Sequence, residues 1–183
     1  MFGVKPHLTA FAKALGNGYP ISAVVGLEEM TQKYATEEVI PQGTYARNSV
    51  SLAAADAILD EIKRGYVHSN IEKFGNALMK SIRELLKDMK IDDAIYSTGI
   101  PSMFQVLFTK QDRVDNYRDF IKSNNDLFTK LQERILTKGI MVDQNNGEPL
   151  YTSSAHNDNN DLKQSLEAFE ASLPFLRMRK TGH

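Results

Sequence analysis

The chain has 183 residues, with 22 Lys and Arg against 23 Asp and Glu, a net charge of -1, 42% hydrophobic and 25% charged residues, and no cysteine. This near-neutral, ordinary composition argues against wholesale disorder and points to no nucleic-acid or anionic-membrane partner. Without cysteine, disulfides, thiolate nucleophiles and Cys-based zinc sites are excluded, and a cytoplasmic location is permitted and expected.

Residues 1–26 read as an extended and turning segment that contains one notable lysine. Lys13 stands among Phe11, Ala12, Ala14 and Leu15, and Gly16, Gly18 and Pro20 follow at once. Surroundings that exclude water penalise an ammonium and push a lysine toward its neutral, nucleophilic form. Such an amine can form a Schiff base with a carbonyl. On local sequence alone the commoner reading is a lysine whose stem lies on the surface with its charge in water. Gly18-Tyr19-Pro20 is a turn signal, and residues 21–26 read as a short buried strand, so Lys13 is expected in a loop beside a strand.

Residues 28–34 fit a short helix, and 36–44 an irregular loop. Thr44 offers a hydroxyl and a backbone N–H next to Gly43, both able to bond a phosphate oxygen ahead of a helix, although a plain loop threonine or helix cap is the commoner role. Arg47 reads as a solvated loop charge, with a contact to a phosphate or a substrate carboxylate as the alternative. An alanine-rich helix is expected over 49–62, with Gly65 ending it. Ile71, Phe74, Leu78, Ile82 and Leu85 recur at spacings of three and four and define the packed face of the next helix.

The pattern breaks at 89–93, where a domain boundary is expected, giving domains 1–90 and 91–183. Residues 100–109 read as one strand, 117–138 as a helix in two pieces broken near 123–125, and 140–142 as a short strand. A loop covers 143–149, and its glycine and acidic spacing does not fit an EF-hand. A further strand begins at Leu150. The last helix is expected over 158–176, with Asn157 or Asp158 as cap. His156 reads as structural. With the four histidines scattered, metal binding has little support. The element pattern suggests α/β for the first part and α+β for the second.

The run from Pro6 to Gly26 around Lys13 resembles the active-site segment of class III pyridoxal-phosphate-dependent aminotransferases, in the glutamate-1-semialdehyde aminomutase-like branch. Gly43-Thr44-Tyr45-Ala46-Arg47-Asn48 matches at the spacing the family shows, and Ser153 to Asp158 matches more weakly. The resemblance covers nearly the whole chain. It implies an α/β protein, the C-terminal part of a fold type I pyridoxal-phosphate transferase: residues 1–90 the end of the large domain and 91–183 the small α+β domain. It further implies that Lys13 is catalytic and holds pyridoxal 5'-phosphate as an internal aldimine, then shuttles the proton. Thr44 would contact the cofactor phosphate from the neighbouring subunit of a dimer. Arg47 and Ser49 depart from the family, which commonly has a small residue or glycine at the first position and proline at the second. No positions match the family's phosphate-binding turn, ring-stacking aromatic or pyridine-binding aspartate. The expected function is amino-group transfer between a small-molecule donor and acceptor, or aminomutase chemistry, with the isolated chain inactive. The expected partner is a second copy or an N-terminal half. The alternative is a non-catalytic paralogue or a separately encoded half-subunit. A severed half would expose apolar surface and self-associate.

Overall fold

The structure is a computed structural model that describes residues 3–40, 42–91, 95–156 and 159–179, with only the backbone described over 177–179. The chain divides into two compact units, Met1–Tyr66 and Val67–His183.

The first unit opens on strand β1 (Leu8–Phe11), antiparallel to β2 (Ala23–Gly26) with Leu8 opposite Gly26 and Phe11 opposite Ala23. A single turn of 3-10 helix over Lys13–Leu15 starts the connection between them. Helix α1 (Glu28–Ala35) follows, with Glu28 and Glu29 in its first turn where the helix dipole favours acids. Helix α2 (Ser49–Lys63) is capped by Asn48, whose side chain accepts the Ser51 N–H at 3.0 Å. Gly65, at φ +84°, takes the left-handed backbone that stops α2, as expected.

Two expectations are corrected here. Strand β2 is shorter than 21–26, and most of it is exposed rather than buried, because a two-stranded ribbon has no third layer in this unit to cover it. Thr44 is not the cap of α2. That role belongs to Asn48, whose amide oxygen is one residue from the first helical turn.

Helix α3 (Tyr66–Asp88) carries the stripe read from sequence. Phe74, Leu78, Ile82 and Leu86 are buried, while Ile71 and Leu85 are half-buried. All but the first residue of α3 falls in the second unit. The residues expected as one strand over 100–109 are the second arm of a hairpin. Strand β3 (Ile95–Ile100) pairs with β4 (Met103–Phe108) across the two-residue turn Pro101-Ser102. Two features made the turn hard to see in the sequence. Apolar residues flank it on both sides, and β3 carries Ser97, Thr98 and Gly99 in place of a β-branched run. Strand β5 (Leu150–Tyr151) pairs antiparallel with β4, so the sheet order is β3-β4-β5.

Phe104, Val106 and Phe108 alternate along β4 and so share one face. They meet α3, α5 (Asn125–Leu136) and α6 (Asn159–Ser172) in a common core. Ile82 and Leu173 lie at 0% exposure at its centre. Helix α4 (Tyr117–Phe120) is a single turn capped by Asn116, and Asn124 breaks it from α5 by capping the latter. The two-piece helix expected over 117–138 is therefore present. Asn124→Ala should cost about 1 kcal/mol through loss of the bond to the Leu127 N–H. Urea denaturation checks this, and an unchanged midpoint would refute the cap.

Residues 140–142 form no strand. The Val142 carbonyl accepts from the buried Gln132 amide at 3.3 Å, so this segment is held by a side chain instead of a neighbouring strand. The last helix ends at Ser172 instead of running to Leu176. Pro174 lacks an N–H and disfavours helical backbone at Leu173, and a 3-10 turn (Pro174–Arg179) follows. Leu173 and Leu176 remain buried all the same. The expected caps Asn157 and Asp158 lie outside the described residues.

Candidate active site

Lys13 is held by the turn that follows β1. Its carbonyl accepts the N–H groups of Gly16 and Asn17, each at 3.1 Å, and the Ala12 carbonyl accepts that of Leu15 at 3.1 Å. Gly16 is buried, and a Cβ there would overlap the Tyr19 carbonyl oxygen, so the close return of the chain at Tyr19 requires glycine. The Tyr19 N–H closes the turn on the Gly16 carbonyl at 3.1 Å. Lys13 itself sits at φ +50°, a left-handed backbone that costs a non-glycine residue roughly 1–2 kcal/mol. Strain of this kind clusters at functional positions.

Lys13 is exposed, and its side chain has no hydrogen bond or ion pair among the described residues. The water-excluding pocket expected around it is not made by the described residues of its unit. The apolar neighbours in sequence do not enclose it, because Phe11, Ala12 and Ala14 are exposed too.

Thr44 lies in the loop before α2. Within the first unit, residues 20–22 and 42–52 enclose a concave surface of about 680 Å³ that Thr44 lines together with Gly43 and Arg47. The loop is folded on itself by bonds from the Ala46 N–H to the Gly43 carbonyl at 2.9 Å and from the Asn48 N–H to the Tyr45 carbonyl at 3.1 Å. Thr44 is exposed and makes no hydrogen bond among the described residues, which leaves its hydroxyl and its N–H available to an incoming acceptor. A Cβ on Gly43 would meet nothing within 4 Å, so the approach to Thr44 from that side is open. Lys13 does not line this surface.

Thr44 offers a hydroxyl and an N–H of the kind that bonds a phosphate, and Lys13 an exposed amine of the kind that condenses with a carbonyl, the two groups that pyridoxal phosphate carries. Ser22 and Ser51, which also line the concavity, did not stand out in sequence. Ser51 could have been found as the residue whose N–H the Asn48 cap receives, three positions on.

His156 has the structural role expected. Its ring stacks on Phe74 at 5.3 Å between centroids, and its Nδ1 accepts the Ser153 N–H at 3.1 Å. Both rings line a cleft of about 340 Å³ in the second unit.

Comparison with known proteins places the chain. The family model for class-III aminotransferases matches residues 1–173. The glutamate-1-semialdehyde 2,1-aminomutase of Nitrosopumilus maritimus is 35% identical over 175 residues, covering 94% of this chain and 40% of that protein. The enzyme of the same name from Methanosarcina acetivorans is 28% identical over 173 residues, with 94% and 40% covered. Among solved structures, the pyridoxal-phosphate internal-aldimine form of a Sphingopyxis FumI protein superposes with a TM-score of 0.77 at 22% identity, covering 99% of this chain and 40% of that one. An omega-transaminase from Sphaerobacter thermophilus gives 0.77 at 20% identity, with 96% and 40% covered. The fold is thus that of a mixed α/β transaminase, and the chain spans about 40% of the length of the relatives it matches. The chain belongs to the class-III aminotransferase family, whose cofactor is pyridoxal phosphate.

Proposed function

We propose that this chain is the C-terminal portion of a pyridoxal-phosphate-dependent enzyme of amino-group transfer, an aminotransferase or a glutamate-1-semialdehyde aminomutase-like enzyme. The observation that carries this reading is Lys13: a free, exposed amine on a left-handed residue, pinned by the Gly16 turn inside the segment that resembles the family's active site. When bound, pyridoxal phosphate supplies an electron sink for the carbanion formed at the substrate carbon. Lys13 is the covalent attachment point for the cofactor. The same amine, once freed, would carry the proton during the transfer. Thr44 holds the phosphate through its hydroxyl and backbone N–H, in the active site of a neighbouring subunit of a homodimer. Residues 1–90 end the large domain, and 91–183 form the small one.

The family span supports a need for a further N-terminal part, which would supply the groups around the cofactor ring and close water away from Lys13. The exposure of Lys13 favours a second reading of the chain on its own, as a half-subunit without activity until that part is present. The substrates are small amino donors and carbonyl acceptors, and the location is cytoplasmic. No described helix is long and apolar enough to cross a membrane.

Borohydride reduction of the native protein, followed by digestion and mass mapping, tests the assignment. The expected product is one pyridoxyl-modified peptide, carrying Lys13. A label on another lysine, or no label, refutes it. The intact mass of the same sample shows whether the native protein exceeds these 183 residues.

A further inference from the structure

The dipeptide Asn-Gly occurs twice in the chain, at Asn17-Gly18 and at Asn146-Gly147. It carries a reaction of its own. The glycine nitrogen can attack the carbonyl carbon of the asparagine side chain, because glycine has no side chain to block the approach. The reaction needs that nitrogen free of hydrogen bonds, the asparagine amide in water, and room for a cyclic imide.

The two pairs differ in all three respects. Asn146 is buried at 8% exposure. The Gly147 N–H donates to Asn145 Oδ1 at 2.9 Å, and a Cβ on Gly147 would lie 3.1 Å from the same oxygen. The carbonyls of Asn146 and Gly147 accept the Gln105 amide at 3.2 Å and 3.0 Å. That pair is locked. Asn17 and Gly18 are both exposed. Neither the Asn17 side chain nor the Gly18 N–H has a hydrogen-bond partner among the described residues. A Cβ on Gly18 would meet nothing within 4 Å. The Tyr19 N–H bond to the Gly16 carbonyl spans the pair without occupying its nitrogen. The Asn17 backbone is left-handed as well, at φ +45°, so this turn already holds a strained residue.

We propose that Asn17 is a site of spontaneous covalent modification, deamidation through a cyclic imide with Gly18, which unfastens the turn under Lys13. The Gly18 nitrogen loses its proton and bonds to Asn17 Cγ. The Cγ–Nδ2 bond breaks, and Nδ2 leaves as ammonia. Water then opens the imide at either carbonyl and leaves an aspartate or an isoaspartate at position 17, with nothing oxidised or reduced. The isoaspartate threads the main chain through Cβ and Cγ and so adds an atom to it. That atom falls inside the turn closed by Gly16 and Tyr19. The Asn17 N–H donates to the Lys13 carbonyl at 3.1 Å, so the lengthening adjoins a bond that holds Lys13 in place. Either product also adds a carboxylate to the turn that carries Lys13. The effect on amino transfer rests on the reading above, and the modification does not.

Ageing of the native protein at mildly alkaline pH, followed by peptide mapping and isoaspartate-specific methylation, tests the site. The Asn17 peptide should gain the mass of an amide-to-acid exchange at least about tenfold faster than the Asn146 peptide, which must first open a hydrogen bond and its cover. In concentrated urea the two rates should converge, since the fold alone separates them. Asn17→Gln keeps an amide but needs a larger, slower ring, so its peptide should stay unmodified. The borohydride label on Lys13 should fall as isoaspartate accumulates in the parent and stay level in Asn17→Gln. An unmodified Asn17, equal rates at the two pairs in the folded protein, or a rate ratio that survives urea would overturn the proposal. A constant Lys13 label on fully modified protein would overturn the effect on the turn. Absence of any Lys13 label, with Asn17 modified as expected, would sink the amino-transfer reading alone.

Discussion

Lys13→Ala is expected to abolish the reducible pyridoxyl label and to lower the rate of amino-group transfer by the native enzyme by at least about a thousandfold, since both the attachment point and the proton carrier are lost. The substitution isolates chemistry from folding. Alanine keeps the Cβ, so it meets the same left-handed penalty at φ +50° as lysine does. The bonds that form the turn, from Gly16 and Asn17 to the residue 13 carbonyl, involve main chain alone. Within these 183 residues the removed side chain is exposed and leaves no cavity. Lys33→Ala is the control. That lysine is exposed, with Glu38 at 4.0 Å, and its loss should leave rate and label unchanged. Single-turnover kinetics with an amino donor reads the effect. A Lys13→Ala rate within tenfold of the parent would remove Lys13 from the reaction.

Gly75→Ala should destabilise the second unit by about 3 kcal/mol, the upper end of the usual cost of overpacking. A methyl group at Gly75 would overlap the carbonyl of Pro101. Neither side can yield easily. Gly75 lies in the middle of α3, with Phe74 and Leu78 beside it in the core. Pro101 forms the β3–β4 turn, and its carbonyl accepts the Thr152 hydroxyl at 2.8 Å. Moving the turn would break that bond. Moving the helix would open the core. The loss therefore exceeds the small gain in helix propensity that alanine brings elsewhere, about 1 kcal/mol. Urea denaturation followed by circular dichroism measures it, and an unchanged or raised midpoint would show that the helix and turn are free to part.

The ease of reading each element from sequence follows from where its determinants lie. Helix α3 was legible because its packed face repeats locally, at spacings of three and four. The break between α4 and α5 was legible because Asn124 caps within its own turn. The β3–β4 hairpin was not, because β3 carries Ser97, Thr98 and Gly99 in place of an apolar alternation and is held by pairing with β4. Likewise 140–142 has strand composition but no adjacent strand to pair with, and Gln132 takes its carbonyl instead.

At the site, Lys13 and Thr44 stood out through resemblance, not through spacing. Nothing local shows that an exposed lysine is special, and nothing local distinguishes Thr44 from the cap that Asn48 provides. The left-handed backbone at Lys13 and Arg47 was also hidden, since neither residue favours it. The buried hydroxyl of Ser51 depends on a loop folding over the start of α2, which no periodicity records.

The apolar burial described above is unevenly shared. Among the described residues of the first unit, Ala55 is the one buried hydrophobic residue, while Phe11, Tyr19, Val24, Val25, Val50 and Leu52 are exposed. The second unit holds the rest of the core. The two units therefore respond differently to substitution. Between Val67 and Leu176, a tolerated change is one that preserves internal volume. From Leu8 to Ile62, most apolar side chains already meet water, so a hydrophobic-to-charged exchange at Val25 or Leu52 would leave the isolated chain nearly as stable as before.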